Sequence, residues 1–154
     1  RSVARIAAPD GHDVSGWPIF FGIGETWYAK PDAGCLIVSP AEEDPLTPMD
    51  AWPEDIVLAE GLARYQSHVT AEVTRPLASW AGLRTFAPDR TLVLGPDPDS
   101  PDFVWSAGQG GYGFQTSAAA GALVAATALG ESPALSPDVV AALSPARLRQ
   151  RAPA

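Results

Sequence analysis

The chain has 154 residues, 46% of them hydrophobic, and a formal net charge of −8. That is apolar chain enough for one packed domain or parts of two. The acidic balance and the lack of a basic patch argue against a nucleic-acid binder, and no run of about 20 apolar residues is present to span a membrane. A single cysteine, Cys35, rules out an internal disulfide. With no signal peptide in view, this fits a reducing, cytoplasmic location. Cys35 opens the run Cys35-Leu36-Ile37-Val38 with no activating base or cation beside it, and reads as a small buried hydrophobe. The chain starts at Arg1 and runs straight into Ser2-Val3-Ala4-Arg5-Ile6-Ala7, as a piece of a longer or processed protein would.

Pro and Gly divide the chain into short elements. Asp10-Gly11-His12 and Ser15-Gly16-Trp17-Pro18 read as turns, followed by a strand from Ile19 to Ile23. Thr26–Ala29 and Cys35–Ser39 are predicted strands joined by the turn Pro31-Asp32-Ala33-Gly34, an antiparallel hairpin. The acidic, Pro-rich stretch 40–53 is a loop. A helix is predicted from Glu54 to Val69, with Pro53 and acids at its start. Val73 to Thr85 reads as a long strand interrupted near Pro76, and Thr91–Leu94 and Phe103–Ala107 as two shorter ones. The alanine-rich run Ser117–Leu129 predicts a helix that is apolar almost all round and therefore buried, capped by Gly130. Ser136-Pro137-Asp138 and Ser144-Pro145 each open a short final helix. The basic tail Arg147 to Arg151 reads as a solvated helix face.

Two segments carry chemistry. Gly108-Gln109-Gly110-Gly111-Tyr112-Gly113 lies between a strand and the long helix. Its glycines let backbone approach a ligand closely, and a helix start offers free N–H groups and the positive end of a dipole to an electron-rich group. The spacing imitates the dinucleotide fingerprint, but the next acid, Glu131, lies beyond the helix, so that reading lacks its ribose partner. The second segment, Trp80-Ala81-Gly82-Leu83-Arg84-Thr85-Phe86, sets one arginine at the end of an apolar strand. A guanidinium there suits either a structural salt bridge or bidentate capture of a carboxylate.

Trp80-Ala81-Gly82-Leu83-Arg84, then Pro88-Asp89, then Val93-Leu94-Gly95-Pro96, then Ala107 to Phe114, in this order, resemble the C-terminal half of the D-amino-acid oxidase superfamily. Glycine oxidase, sarcosine oxidase and D-amino-acid dehydrogenase belong to it. The resemblance implies an α+β chain: residues 1–84 form part of an antiparallel substrate-binding sheet with a helix, and residues 85–154 the C-terminal return of a FAD-binding α/β domain, ending in strands and the buried helix. The N-terminal dinucleotide-binding unit is absent from this sequence. The resemblance further implies hydride transfer from the α-carbon of an amine or amino acid to flavin N5. Arg84 and Tyr28 would hold the substrate carboxylate. Gly108, Gln109, Gly110, Gly111, Tyr112, Gly113, Phe114 and Gln115 would line the FAD, with the helix start facing the flavin O2 side.

The sequence departs from that pattern in places. Gln109 stands where many members carry histidine, and Gly111 where glycine-type oxidases can carry a second arginine, which leaves room for a bulkier substrate or one not held by two arginines; Tyr112 then suits a substrate-facing role and packing equally. His12 and His68 have no metal-ligand spacing and read as surface residues. Trp27, Trp80 and Glu25 are the remaining residues that could face a pocket. Two alternatives stay open: a 2-hydroxy acid as substrate, which Arg84 serves equally well, and a non-catalytic binding module derived from the family. Alone, the chain is expected to bind FAD weakly and to swap or dimerise as a homo-oligomer over surface meant for the missing segment.

Overall fold

The strand that organises the first half of the chain is its opening segment, Ser2–Ala7 (β1). Ser2, Ala4 and Ile6 are buried, while Val3 and Arg5 are half-buried, the two-residue period of a strand with one face in a core. No strand was expected here, because the buried positions hold serine and alanine, and the hydrophobic alternation is faint. In the computed structural model, which describes residues 1–73 and 75–149, the chain forms two units, Arg1–Leu83 and a second beginning at Arg84.

In the first unit, β1 lies between Cys35–Ser39 (β4) and Ala78–Ala81 (β5) in a five-stranded antiparallel sheet. Tyr28–Asp32 (β3) pairs with β4, and the short Phe20–Phe21 (β2) completes the far edge. The β3–β4 hairpin turns on Ala33 and Gly34, at φ 48° and 78°. Two positive φ values in a two-residue loop match the right-handed twist of the flanking strands. The strands therefore run two residues further into the expected turn, through Pro31 and Asp32. Cys35 is half-buried rather than buried, since it sits at the mouth of this turn; Leu36 to Ser39 behind it are buried. The long strand expected over 73–85 shortens to β5, consistent with the missing N–H of Pro76; its Thr74 lies outside the described residues.

The helix Asp55–Gln66 (α1) covers one face of this sheet with Leu58, Gly61 and Tyr65, an i, i+3, i+7 stripe. Trp27, 3% exposed, stands at the centre of the core. Its ring meets Tyr65 edge-on at 5.2 Å and Phe20 at 6.0 Å, separations that favour T-shaped pairing. Trp27 is thus a core residue rather than a pocket residue, and Glu25 is exposed in the short turn Ile23–Glu25. His12 and His68 are both exposed. Burial of the Tyr65 phenol pushes its pKa above the ordinary range.

The second unit pairs Val93–Pro96 (β6) with Val104–Ala107 (β7) as an antiparallel hairpin. The helix Gly113–Leu129 (α2) packs on it, followed by the short helices Pro137–Leu143 (α3) and Ala146–Arg149 (α4). The described architecture is α+β, with antiparallel sheets and four helices. The expectation of a buried α2 is corrected. Within the helix only Ala120 and Leu123 are buried; they join Leu94 in a small core with Leu92, Val124 and Leu143 at its margin. The opposite face is exposed, including Phe114 at 99% and Leu129 at 72%. Alanine on every side made the helix look two-sided, but its described contacts cover one stripe. Gly130 ends it at φ 71°, the left-handed cap that glycine favours.

The close crossing of α1 over Pro40 yields a stability prediction. A Cβ at Gly61 would overlap the Pro40 side chain and stand 2.7 Å from its Cα. Gly61→Ala should gain about 1 kcal/mol of helix propensity yet lose more to overpacking against rigid proline, typically about 1–3 kcal/mol. Urea unfolding should show a lowered midpoint; a raised midpoint would contradict the packing described.

Candidate functional site

The second unit opens at Arg84, and its first three residues lie on the glycine loop between β7 and α2. The Gly110 amide donates to the Thr85 carbonyl at 2.9 Å. A Cβ at Gly110 would stand 2.8 Å from the Phe86 ring, and one at Gly111 would stand 2.8 Å from Nη1 of Arg84. The structure therefore brings Arg84 and the loop 108–113 together. The Arg84 guanidinium is exposed, and no described residue pairs with it by a hydrogen bond or salt bridge.

The loop's glycines answer different demands. Gly108 and Gly110 take φ of 67° and 58°, where a side chain is strained. Gly108 also sits close over the Ala87 amide and the Thr91 carbonyl, at 3.5 and 3.6 Å from an added Cβ. Gly113 approaches Gln109, whose Nε2 reaches the Ser106 hydroxyl at 3.5 Å. Tyr112 caps α2 with no side-chain hydrogen bond, and no acid stands in the first turn. The helix start thus keeps free N–H groups and its positive dipole end. Tyr112, Phe114 and Gln115 are exposed there. Phe86 forms a platform, with the Arg90 guanidinium 4.3 Å from its ring centroid. A cavity of about 370 Å³ adjoins the loop, bordered by Thr85, Phe86, Ala107, Gly108 and Trp105.

Tyr28 belongs to the first unit. It begins β3 half-buried, with its ring 6.1 Å from that of Phe21. Trp80, also in the first unit, is exposed, with the Arg5 guanidinium 5.8 Å from its ring centroid.

The scaffold beneath the loop rests on two aspartates. Asp97 accepts the Asp99 and Ser100 amides on one oxygen and the Trp105 indole N–H on the other, at 2.8, 3.1 and 2.9 Å, which fixes the β6–β7 connection. Asp89 takes a two-point ion pair from Arg147, Nε to Oδ2 at 2.9 Å and Nη2 to Oδ1 at 3.1 Å. Arg147 also donates to the carbonyls of Thr91, Leu143 and Ser144. The expectation of a solvated tail is therefore corrected for Arg147, which is anchored because five N–H donors find acceptors around it. Arg149 is exposed and pairs with Asp99. Gln150 and Arg151 lie outside the described residues. Sequence reading assigned Asp89 and Arg147 no joint role; they are far apart in the chain, and no local pattern links them.

A family profile described as DAO, FAD dependent oxidoreductase, matches residues 2–127. The chain belongs to this FAD-dependent oxidoreductase family. The solved structure of an L-amino acid deaminase from Proteus vulgaris, with its specific insertion sequence deleted, matches with a TM-score of 0.67 at 20% identity, over 91% of this chain and 34% of that one. Iminodiacetate oxidase from Chelativorans sp. BNC1 matches with a TM-score of 0.62 at 22% identity, over 88% of this chain and 36% of that one. The chain spans about a third of the length of these DAO-like structures. Among the described residues, no helix is long and apolar enough to cross a membrane.

Arg147 gives the site's stability test. Lysine keeps the charge but loses the planar fork that meets both Asp89 oxygens. Arg147→Lys should cost about 1.5–3 kcal/mol, the scale of a charge-assisted hydrogen bond, read by urea unfolding. A variant as stable as the parent chain would show that this anchor does not hold the unit together.

Proposed function

We propose that this chain is the C-terminal part of a FAD-dependent oxidoreductase that oxidises an amine or amino acid bearing a carboxylate. The observation that carries the reading is Arg84, a guanidinium without a described protein partner, lying across the glycine loop that leads into α2. On this reading residues 1–84 contribute to the substrate domain, and residues 85–154 return to the FAD domain. The two solved structures described above are named for amino carboxylates, which supports a substrate of that class.

The residues present fit a flavin edge. Gly111 is exposed, Gly108 and Gly110 turn the loop through positive φ, and the helix start is free of acids. Gly108 to Gly113 would lie along the ring system, with Tyr112, Phe114 and Gln115 beside it. The uncapped N–H groups of α2 would stabilise negative charge at the ring's N1 and O2 edge. FAD, when bound, would supply the hydride acceptor, its N5. The protein's own contribution would be placement: Arg84 holds the carboxylate so that the α C–H is aligned for transfer. The exposed apolar face of α2 and the share of the relatives' length that this chain covers support a further segment that completes the FAD site.

Arg84→Leu in the complete enzyme tests this. Loss of a charge-assisted pair should raise KM for amino carboxylates by about 10- to 100-fold and leave KM for the matching carboxylate-free amine nearly unchanged. Equal KM values for the carboxylate substrate before and after the substitution would refute the assignment.

A further inference from the structure

Gly108 and Gly110 are explained by their backbone, but Gly111 is not. Its φ lies outside the left-handed region, and the three nearest atoms a Cβ would meet all belong to Arg84: Nη1 at 2.8 Å, Cζ at 3.2 Å and Nε at 3.7 Å. A side chain here meets no left-handed strain. What the missing side chain provides is the space in which the guanidinium lies. Below Arg84, the neighbouring contact is fixed independently: Gly110 donates to the Thr85 carbonyl and its α-carbon faces Phe86. The backbone of 84–86 is therefore held on the loop, while the Arg84 head is set by the vacancy at 111.

We infer that Gly111 is a positioning residue for Arg84: the absent Cβ seats the guanidinium on the loop, and the size of the side chain at 111 decides where its charge is presented. The inference deepens the proposed function, since it rests on Arg84 as the carboxylate anchor. An exposed arginine head is the movable partner in such a clash, so a methyl group at 111 displaces the guanidinium and leaves the loop's backbone and its hydrogen bond to Thr85 in place. With the guanidinium pushed aside, a substrate carboxylate would dock away from its aligned position, and a misplacement of about 1 Å can cost 100-fold.

The test has two readouts. In the 154-residue chain, labelled with nitrogen-15, the Arg84 Nε–H resonance is assigned by its loss in Arg84→Leu. Gly111→Ala should shift that resonance and leave the Gly110 amide and the melting temperature as they were; an unmoved Arg84 resonance overturns the inference. In the complete enzyme, Gly111→Ala should lower kcat/KM for an amino carboxylate by about 10-fold or more relative to the carboxylate-free amine; the comparison between the two substrates cancels any effect the loop's contact with the cofactor has on both. Added to Arg84→Leu, it should leave that ratio where Arg84→Leu puts it, because the two residues act through one group. If Arg84→Leu changes that ratio and Gly111→Ala does not, the inference fails and the carboxylate reading stands. If Arg84→Leu leaves KM alone, the carboxylate reading fails, and the resonance alone decides the positioning: shifted supports it, unmoved overturns it.

Discussion

The hydrogen bond from the Gly110 amide to the Thr85 carbonyl, at 2.9 Å, holds the candidate site together. It requires the glycine loop and the segment 84–86 to approach at backbone distance, which a side chain at 110, 2.8 Å from the Phe86 ring, would oppose. Everything near the site follows from that approach. Phe86 lies under Gly110, Arg84 lies over Gly111, and the loop leaves the crossing aimed into the first turn of α2. A helix start that no acid neutralises and no side chain caps then stands beside an arginine with no described partner. Such an arrangement of positive ends is poised for an anionic or electron-rich ligand.

The second unit combines a pinned base with an open face. Asp89 and Arg147 tie α4 to the turn at residues 87–90, and Asp97 ties the β6–β7 connection to Trp105. Both devices stand beside the loop, since Gly108 lies against the Thr91 carbonyl that Arg147 bonds and borders the same cavity as Asp97 and Trp105, so they set the backbone that the loop leans on. The open face is that of α2, where Phe114 and Leu129 are exposed beside a run of alanines. A helix this apolar gains its full stability when a second layer covers it.

Much of the fold was legible wherever a short-range cause acts. Cys35–Ser39 was bounded by Gly34 and Pro40 and is the strand observed. The alanine run and Gly130 marked α2, which begins at Gly113 rather than Ser117 because the loop winds into helix as soon as Tyr112 takes its capping conformation. Strand β1 escaped notice because its core-facing serine and alanine carry almost no hydrophobic signal. One-sided burial of α2 was hidden for the opposite reason: composition reports what a helix can bury, and the neighbours decide what it does bury. Within the site, glycine content signalled a close backbone approach but could not separate the glycines demanded by φ from the one demanded by Arg84. The Arg147–Asp89 pair depends on two segments meeting in space, which neither segment announces.

The most direct measurement is a visible absorption spectrum of the purified chain, taken after FAD is added and removed by desalting, alone and again with the N-terminal segment of the complete enzyme supplied in trans. A colourless chain that retains flavin only when the second segment is present is the result this account predicts. A chain that stays yellow by itself would carry a complete flavin site, and the division of the cofactor between this chain and a further segment would be wrong.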